Sequence, residues 1–212
     1  SLVFYLNEAL KLSVSEANHL SGWVFGLSYA AAIGGGLLSD WRLGARATTL
    51  LGLTALGISL LGVTVMQPIP LWLWGAVFVV GNGLFKPGIV SLLNATLPSG
   101  HPRRSFGFTL FYVAANLGSA CAPLLGAWVQ SRGGWSGVSG AAGMGMALGA
   151  VVLLSGWRVL GDAPNIPHAD SQSPAQDPPR RWLLPALILL SLAVNGTLYA
   201  QSTSTLLLWA RD

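Results

Sequence analysis

The sequence predicts an all-α membrane protein, and three observations support this prediction. Only 18 of the 212 residues are charged, 11 Lys or Arg and 7 Asp or Glu, which is 8%, against about 25% in an ordinary soluble domain. Hydrophobic residues make up 52%. They occur in runs of about 20 residues, the length that crosses a bilayer as a helix. The shortage of charge excludes a soluble enzyme, a nucleic-acid-binding protein and a disordered chain.

Apolar runs separated by short polar stretches define the predicted helices. Residues 1–12 lack the basic region and cleavage site of a signal peptide, and we expect them to be the end of a first span that is cut at its front. Residues 158–181 are rich in proline and charge, which is typical of a polar linker. Further spans are predicted at 19–38, 47–66, 71–94, 105–130, 137–157 and 182–209.

The basic residues predict the orientation of the helices. Seven lie in the stretches 39–46, 98–105 and 158–181, which the alternation of spans places on one side: Arg42, Arg46, Arg103, Arg104, Arg158, Arg180 and Arg181. Three lie on the other side: Lys11, Arg132 and Arg211. The positive-inside rule places the first side in the cytoplasm, and the net charge of +4 then belongs to loops that face an anionic membrane surface.

Lys86 is the one basic residue that this count leaves inside a predicted span. A lysine at the centre of a membrane helix costs about 2.5–3.5 kcal/mol, and such residues usually face a substrate or ion path. Pro87 follows it and removes a backbone hydrogen bond, which suits the wall of a cavity better than a lipid-facing surface. The alternative is that Lys86 extends along its helix to reach the headgroups.

A few other polar side chains fall within the predicted spans. Tyr29 is in the second span, and Tyr112 and Asn116 are four residues apart on one face of the fifth. Gln201 belongs to a polar cluster in the last span. Tyr29 could equally be an interfacial anchor. Asn116 and Gln201 could form hydrogen bonds between helices, typically worth under about 2 kcal/mol.

The sequence has no pattern that indicates an enzyme or a cofactor site. It contains no Ser-His-Asp set, paired carboxylates or phosphate-binding loop. Its three histidines do not have the spacing of metal ligands. We therefore expect no catalysis, cofactor or metal.

Several motifs resemble those of known transporters. Residues 35–46 (GGLLSDWRLGAR) resemble the signature between spans two and three of major facilitator transporters. Residues 81–87 (GNGLFKP), 102–104 (PRR) and 107–119 (GFTLFYVAANLGS) together resemble the proton-dependent oligopeptide transporter family. Residues 198–206 (LYAQSTSTL) resemble span seven of its bacterial di- and tripeptide permease branch.

The resemblance implies a role for individual residues. Lys86 would couple protons and hold the carboxyl end of a peptide, and Asn116 would contact the peptide backbone. Tyr29 would line the binding cavity, and Tyr112 and Gln201 are further candidate substrate-binding residues. A gating motif would latch the cytoplasmic helix ends during transport, and it consists of Gly36, Asp40, Gly44 and Arg46.

The implied architecture is a partial major facilitator fold, from the tail of span one through span seven. Residues 1–157 would form an N-terminal six-helix bundle, 158–181 a cytoplasmic linker, and 182–212 the first helix of a C-terminal bundle. We expect the rest of that bundle, which a complete site needs, to be missing. The family's Glu-x-x-Glu-Arg motif of span one is absent, and truncation would explain its loss. That motif would supply the carboxylates that Lys86 lacks.

The implied function is proton-coupled symport of di- and tripeptides by alternating access across the bacterial cytoplasmic (inner) membrane. Short peptides and protons are the expected partners, the lipid bilayer is the expected surrounding, and no nucleic acid is expected. Two alternatives stay open. One is a major facilitator transporter of another small solute, and the other is a degenerate fragment that transports nothing.

Overall fold

The computed structural model describes residues 2–65, 70–97, 99–158 and 160. Every regular element in these ranges is helical, as predicted: α1 Leu2–Glu8, α2 Val14–Leu38, α3 Gly44–Val65, α4 Leu71–Thr96 and α5 Arg104–Ser155. A π-helical turn, Ser39–Leu43, joins α2 to α3. Three helical segments are long and apolar enough to cross a membrane: Val14–Thr64, Leu71–Thr96 and Arg104–Ser155. Apart from positions 158 and 160, the predicted linker at 158–181 and everything at 182–212 lie outside the described residues.

The described residues fall into two compact units, 2–21 and 22–160. In the first unit, Val3, Leu6 and Ala17 form a small buried cluster. The Asn7 amide closes the connection after α1 by donating to the Leu12 carbonyl at 2.8 Å.

The second helix begins earlier than predicted, at Val14 instead of residue 19. The reason is a capping box that the hydropathy pattern does not reveal. The Ser13 backbone N–H donates to the Glu16 carboxylate at 3.0 Å, and the Glu16 backbone N–H donates to Ser13 Oγ at 3.3 Å. These reciprocal bonds satisfy two backbone donors at the helix start, so the polar residues that precede the apolar run are helical too.

Helix α3 packs antiparallel to α4 in the second unit, with small residues at the contact. A Cβ on Gly88 would lie 2.9 Å from Thr49, and a Cβ on Gly81 would lie 2.9 Å from Leu56. Residues closer to the C-terminus of α3 therefore contact residues closer to the N-terminus of α4. Glycine lets the two backbones approach closely, which is how membrane helices associate when lipid removes the hydrophobic driving force between them.

The far half of α5 packs antiparallel on the same helix, α3. A Cβ on Gly143 would lie 2.7 Å from Leu61, and one on Gly149 would lie 3.5 Å from Leu53. Because both neighbours of α3 run opposite to it, the 39–46 turn, the end of α4 and the end of α5 lie at one end of this unit. These are the stretches whose arginines predict a common side of the membrane.

Gly134 divides α5 into two arms, 104–133 and 135–155. Its backbone has φ 61° and ψ −164°, a conformation that is essentially restricted to glycine. The sequence predicts two spans, 105–130 and 137–157, separated by a loop. The structure replaces that loop with this single non-helical residue, because one glycine suffices to interrupt the helix.

Candidate functional site

Lys86 lies near the middle of α4. At 1.5 Å of rise per residue, its Cα is about 22 Å from the first residue of the helix and about 15 Å from the last. No acidic residue of the sequence belongs to α4. Within the described ranges Lys86 forms no ion pair, and its ammonium instead faces an aromatic ring of α2. The charge is therefore held at the centre of the helix and does not reach either end.

That ring is Tyr29. The Lys86 Nζ lies 4.5 Å from the ring centroid, inside the limit of about 6 Å for a cation–π contact. Tyr29 is itself about 14 Å from the last residue of α2 and about 22 Å from the first, and its side chain is 63% exposed. The structure thus brings two predicted site residues together, both away from the ends of their helices.

A close crossing of α2 and α4 sets this geometry. A Cβ on Gly83 would lie 2.6 Å from the Ala31 Cβ and 2.8 Å from the Ala31 carbonyl carbon. One on Gly36 would lie 3.7 Å from the Pro87 Cβ. Since 31 meets 83 and 36 meets 87, the two helices run parallel. Helical side chains lean toward the N-terminus of their helix, which carries the ammonium of Lys86 back toward the level of Tyr29.

Pro87 has a packing consequence at this crossing. Proline cannot donate the N–H that the Gly83 carbonyl would otherwise accept. That carbonyl oxygen occupies the position where a Cβ on Gly35 would stand. The oxygen thus faces Gly35 of α2. Position 35 therefore has no space for a side chain and requires glycine. A Cβ on Gly36, the glycine chosen from the motif, would make only an ordinary van der Waals contact.

Tyr112 and Asn116 share one face of the 104–133 arm, as predicted. The Asn116 amide nitrogen donates to the Tyr112 carbonyl at 2.8 Å, and its carboxamide oxygen is an acceptor with two lone pairs. Tyr112 is 61% exposed and packs edge-on against Phe111 at 5.5 Å between ring centroids. Within the described residues, neither side chain forms a hydrogen bond or a ring contact with Lys86 or Tyr29. Gln201 lies outside the described residues.

The four residues of the predicted gating motif lie at or beside the turn between α2 and α3. Gly44 ends the π-helical turn with φ 73° and ψ 158°, and the Asp40 carboxylate is exposed. The Arg46 guanidinium donates to the Leu160 carbonyl at 3.0 Å and lies 5.8 Å from the ring centroid of Trp157. Arg46 therefore ties the start of α3 to the segment that follows α5.

The contacts of Arg104 were not predicted from the sequence, where it was a loop charge and a member of the PRR motif. Its guanidinium donates to the Leu97 carbonyl at the end of α4 and to Asn94 Oδ1, the latter at 2.6 Å. It also lies 4.9 Å from the Phe108 ring centroid. A cation often binds the last carbonyls of a helix, and the position of Arg104, seven residues beyond Leu97, was the available signal. It fastens the helix that carries Lys86 to the one that carries Asn116.

Comparison with known proteins gives consistent results. The model of the POT family matches residues 48–176. The peptide transporter YePEPT of Yersinia enterocolitica is 37% identical over 147 residues, which cover 68% of this chain and 29% of that protein. The dipeptide and tripeptide permease B of Edwardsiella piscicida is 32% identical over 168 residues, covering 77% of this chain and 34% of that protein. The chain thus spans about a third of the length of these relatives.

Solved structures show the same fold. One is the crystal structure of the E310Q mutant of the peptide transporter POT in complex with sulfate. It superposes on this chain with a TM-score of 0.72 at 25% identity, and the superposition covers 94% of this chain and 41% of the POT chain. The same mutant in complex with alafosfalin gives a TM-score of 0.71 at 24% identity, covering 98% and 43%. The match of family, fold and sequence confirms the resemblance drawn from the motifs, and the chain belongs to the POT family of proton-dependent oligopeptide transporters.

Proposed function

We propose that the protein carries out proton-coupled symport of di- and tripeptides by alternating access across the bacterial inner membrane, with residues 158–181 on the cytoplasmic side. The observation that carries this proposal is the Lys86 ammonium, which lies at mid-helix against Tyr29. The relatives of this chain are named as peptide transporters and permeases, and the family match covers more than half of the chain.

Lys86 offers what a short peptide requires at its charged end. A peptide is a zwitterion, and its carboxylate pairs best with a cation in a site of low dielectric constant. The cation–π contact engages one side of the ammonium, so N–H donors remain for a carboxylate. Lys86 also serves in proton coupling. When an acidic partner is protonated, it releases the ammonium, which then binds the peptide.

Asn116, Tyr112, Tyr29 and Gln201 complete the proposed binding set. The carboxamide oxygen of Asn116 accepts a peptide N–H, while its amide nitrogen is bonded to the Tyr112 carbonyl. Tyr29 and Tyr112 present exposed rings that suit the apolar side chains of a peptide. In transporters of this type the site lies at the midplane between two bundles that rock about it. The present residues form one half, and a C-terminal bundle supplies the other.

Gating is assigned to the turn between α2 and α3. Gly44 provides the backbone conformation at the end of the π-helical turn, and Arg46 binds the segment after α5. Asp40 is exposed at the same end, where it is free to latch onto the other bundle. Gly36 belongs to this set through its contact with Pro87.

The test uses the protein expressed from its complete gene and reconstituted in liposomes. An inward proton gradient should drive uptake of a labelled dipeptide, and Lys86→Ala should abolish that uptake. Lys11→Ala is the matched control, because Lys11 is the only other lysine in the sequence and lies outside the long helices. Unchanged uptake by Lys86→Ala would refute the assigned role.

Two further measurements sharpen the assignment. Counterflow of peptide needs no proton gradient, so loss of gradient-driven uptake with retained counterflow assigns Lys86 to coupling. Loss of both assigns it to binding as well. Competition between di- and tripeptides and other small anions distinguishes peptide transport from transport of another solute.

A further inference from the structure

We infer that the face of the Tyr29 ring is the partner that holds the Lys86 ammonium in place for the carboxylate of a ligand, which makes Tyr29 a positioning residue for that cation. This inference rests on the proposed function and deepens it. It assigns the effect to the aromatic face and not to the phenolic hydroxyl.

The geometry supports a cation–π contact. The Lys86 Nζ lies 4.5 Å from the Tyr29 ring centroid, close enough for the ring quadrupole to attract the charge. Within the described residues no carboxylate accompanies the ammonium. The two side chains come from different helices, whose relative position is fixed by the close contact of Gly83 with Ala31. The contact is therefore built into the packing of α2 on α4.

An aromatic face differs from a carboxylate in what it does to the cation. A carboxylate would neutralise the ammonium and compete with a ligand carboxylate for its N–H donors. A ring carries no net charge, so it attracts the ammonium without neutralising it. It also prevents Lys86 from extending along α4 toward the headgroups, as an isolated lysine would do. The charge is thus oriented in advance, which lowers the cost of binding an anionic group.

The experiment replaces Tyr29 with phenylalanine and its mono-, di- and trifluorinated forms in the protein expressed from its complete gene. Fluorine withdraws electron density from the ring face with little change in size. Binding of alanyl-alanine is measured in detergent by calorimetry. We expect Kd to rise with each fluorine, and Tyr29→Leu to raise it about two- to thirtyfold, the range expected for loss of a cation–π contact. Tyr29→Phe, which keeps the ring, should raise it less.

Two comparisons separate this role from a merely structural one. The C-terminal amide of alanyl-alanine lacks the carboxylate, so its Kd should be nearly insensitive to the fluorine series. Phe25→Leu removes another exposed aromatic residue of α2 that takes no part in the contact, and it should leave both Kd values unchanged.

The outcomes are distinguishable. A flat fluorine series, or equal effects on acid and amide, would overturn the role of the ring face while the proposed function stands. A wild-type protein that binds neither ligand would overturn both.

Discussion

Replacing Gly83 with alanine should destabilise the crossing of α2 and α4, and Gly75→Ala provides its control. A Cβ on Gly83 would lie 2.6 Å from the Ala31 Cβ and 2.8 Å from the Ala31 carbonyl carbon. Backbone atoms cannot move aside as a side chain can, so the helices must separate. A Cβ on Gly75, in the same helix, would have nothing within 4 Å.

The pair of variants isolates the packing cost. Alanine is favoured over glycine inside a helix by about 0.8–1.0 kcal/mol, and this gain applies equally to both variants. Overpacking typically costs about 1–3 kcal/mol, and it applies to Gly83→Ala alone. We therefore expect Gly83→Ala to be less stable than Gly75→Ala by about 1–3 kcal/mol.

Thermal unfolding in detergent, followed by tryptophan fluorescence, measures this difference. For a chain of this size the expected gap between the two midpoints is roughly 2–12 °C. Both variants should be heated at the same rate, because membrane proteins often unfold irreversibly and the midpoint then depends on the rate. Equal midpoints for the two variants would refute the close contact between Gly83 and α2.

Three further predictions concern the caps and the turn of the helices. Ser13→Ala should weaken the start of α2 by about 0.5–2 kcal/mol and speed hydrogen exchange in its first turn, whereas Ser15→Ala should not. Gly134→Ala should reduce stability by about 1–3 kcal/mol through backbone strain. Gly133→Ala is the control, because an added Cβ has no atom within 4 Å at either site, and equal melting temperatures of the two variants would contradict this prediction. Arg104→Lys keeps the charge but loses the rigid planar guanidinium whose two terminal nitrogens donate to Leu97 and Asn94, so hydrogen exchange at the end of α4 should accelerate.

Hydropathy alone predicted the long helices well, because a membrane helix must carry its own apolar surface. The predicted span at 71–94 compares with an observed helix Leu71–Thr96. Hydropathy did not predict the polar ends of helices or the positions of special backbone conformations. The extra turn at the start of α2 depends on hydrogen bonds between Ser13 and Glu16, and the break in α5 depends on a single φ at Gly134.

The sequence names candidate site residues but does not give their contacts. Lys86 was identified from sequence because charge within an apolar run is costly, whatever the neighbouring helices are. Its contact with Tyr29 depends on the offset between α2 and α4, which is set by the packing of glycines. The same reason explains why Gly36 was chosen from its motif whereas Gly35 makes the closer contact.

The energetics of Lys86 indicate what else its site must provide. A lysine at the centre of a membrane helix costs about 2.5–3.5 kcal/mol, and a cation–π contact returns about 0.5–2 kcal/mol. The contact with Tyr29 therefore leaves a deficit of about 0.5–3 kcal/mol, taking these ranges together. Water or an anionic group must offset the rest. Because both side chains are exposed on the described unit, the ammonium has room for such a group, and the carboxylate of the proposed peptide substrate would match its charge and its N–H donors.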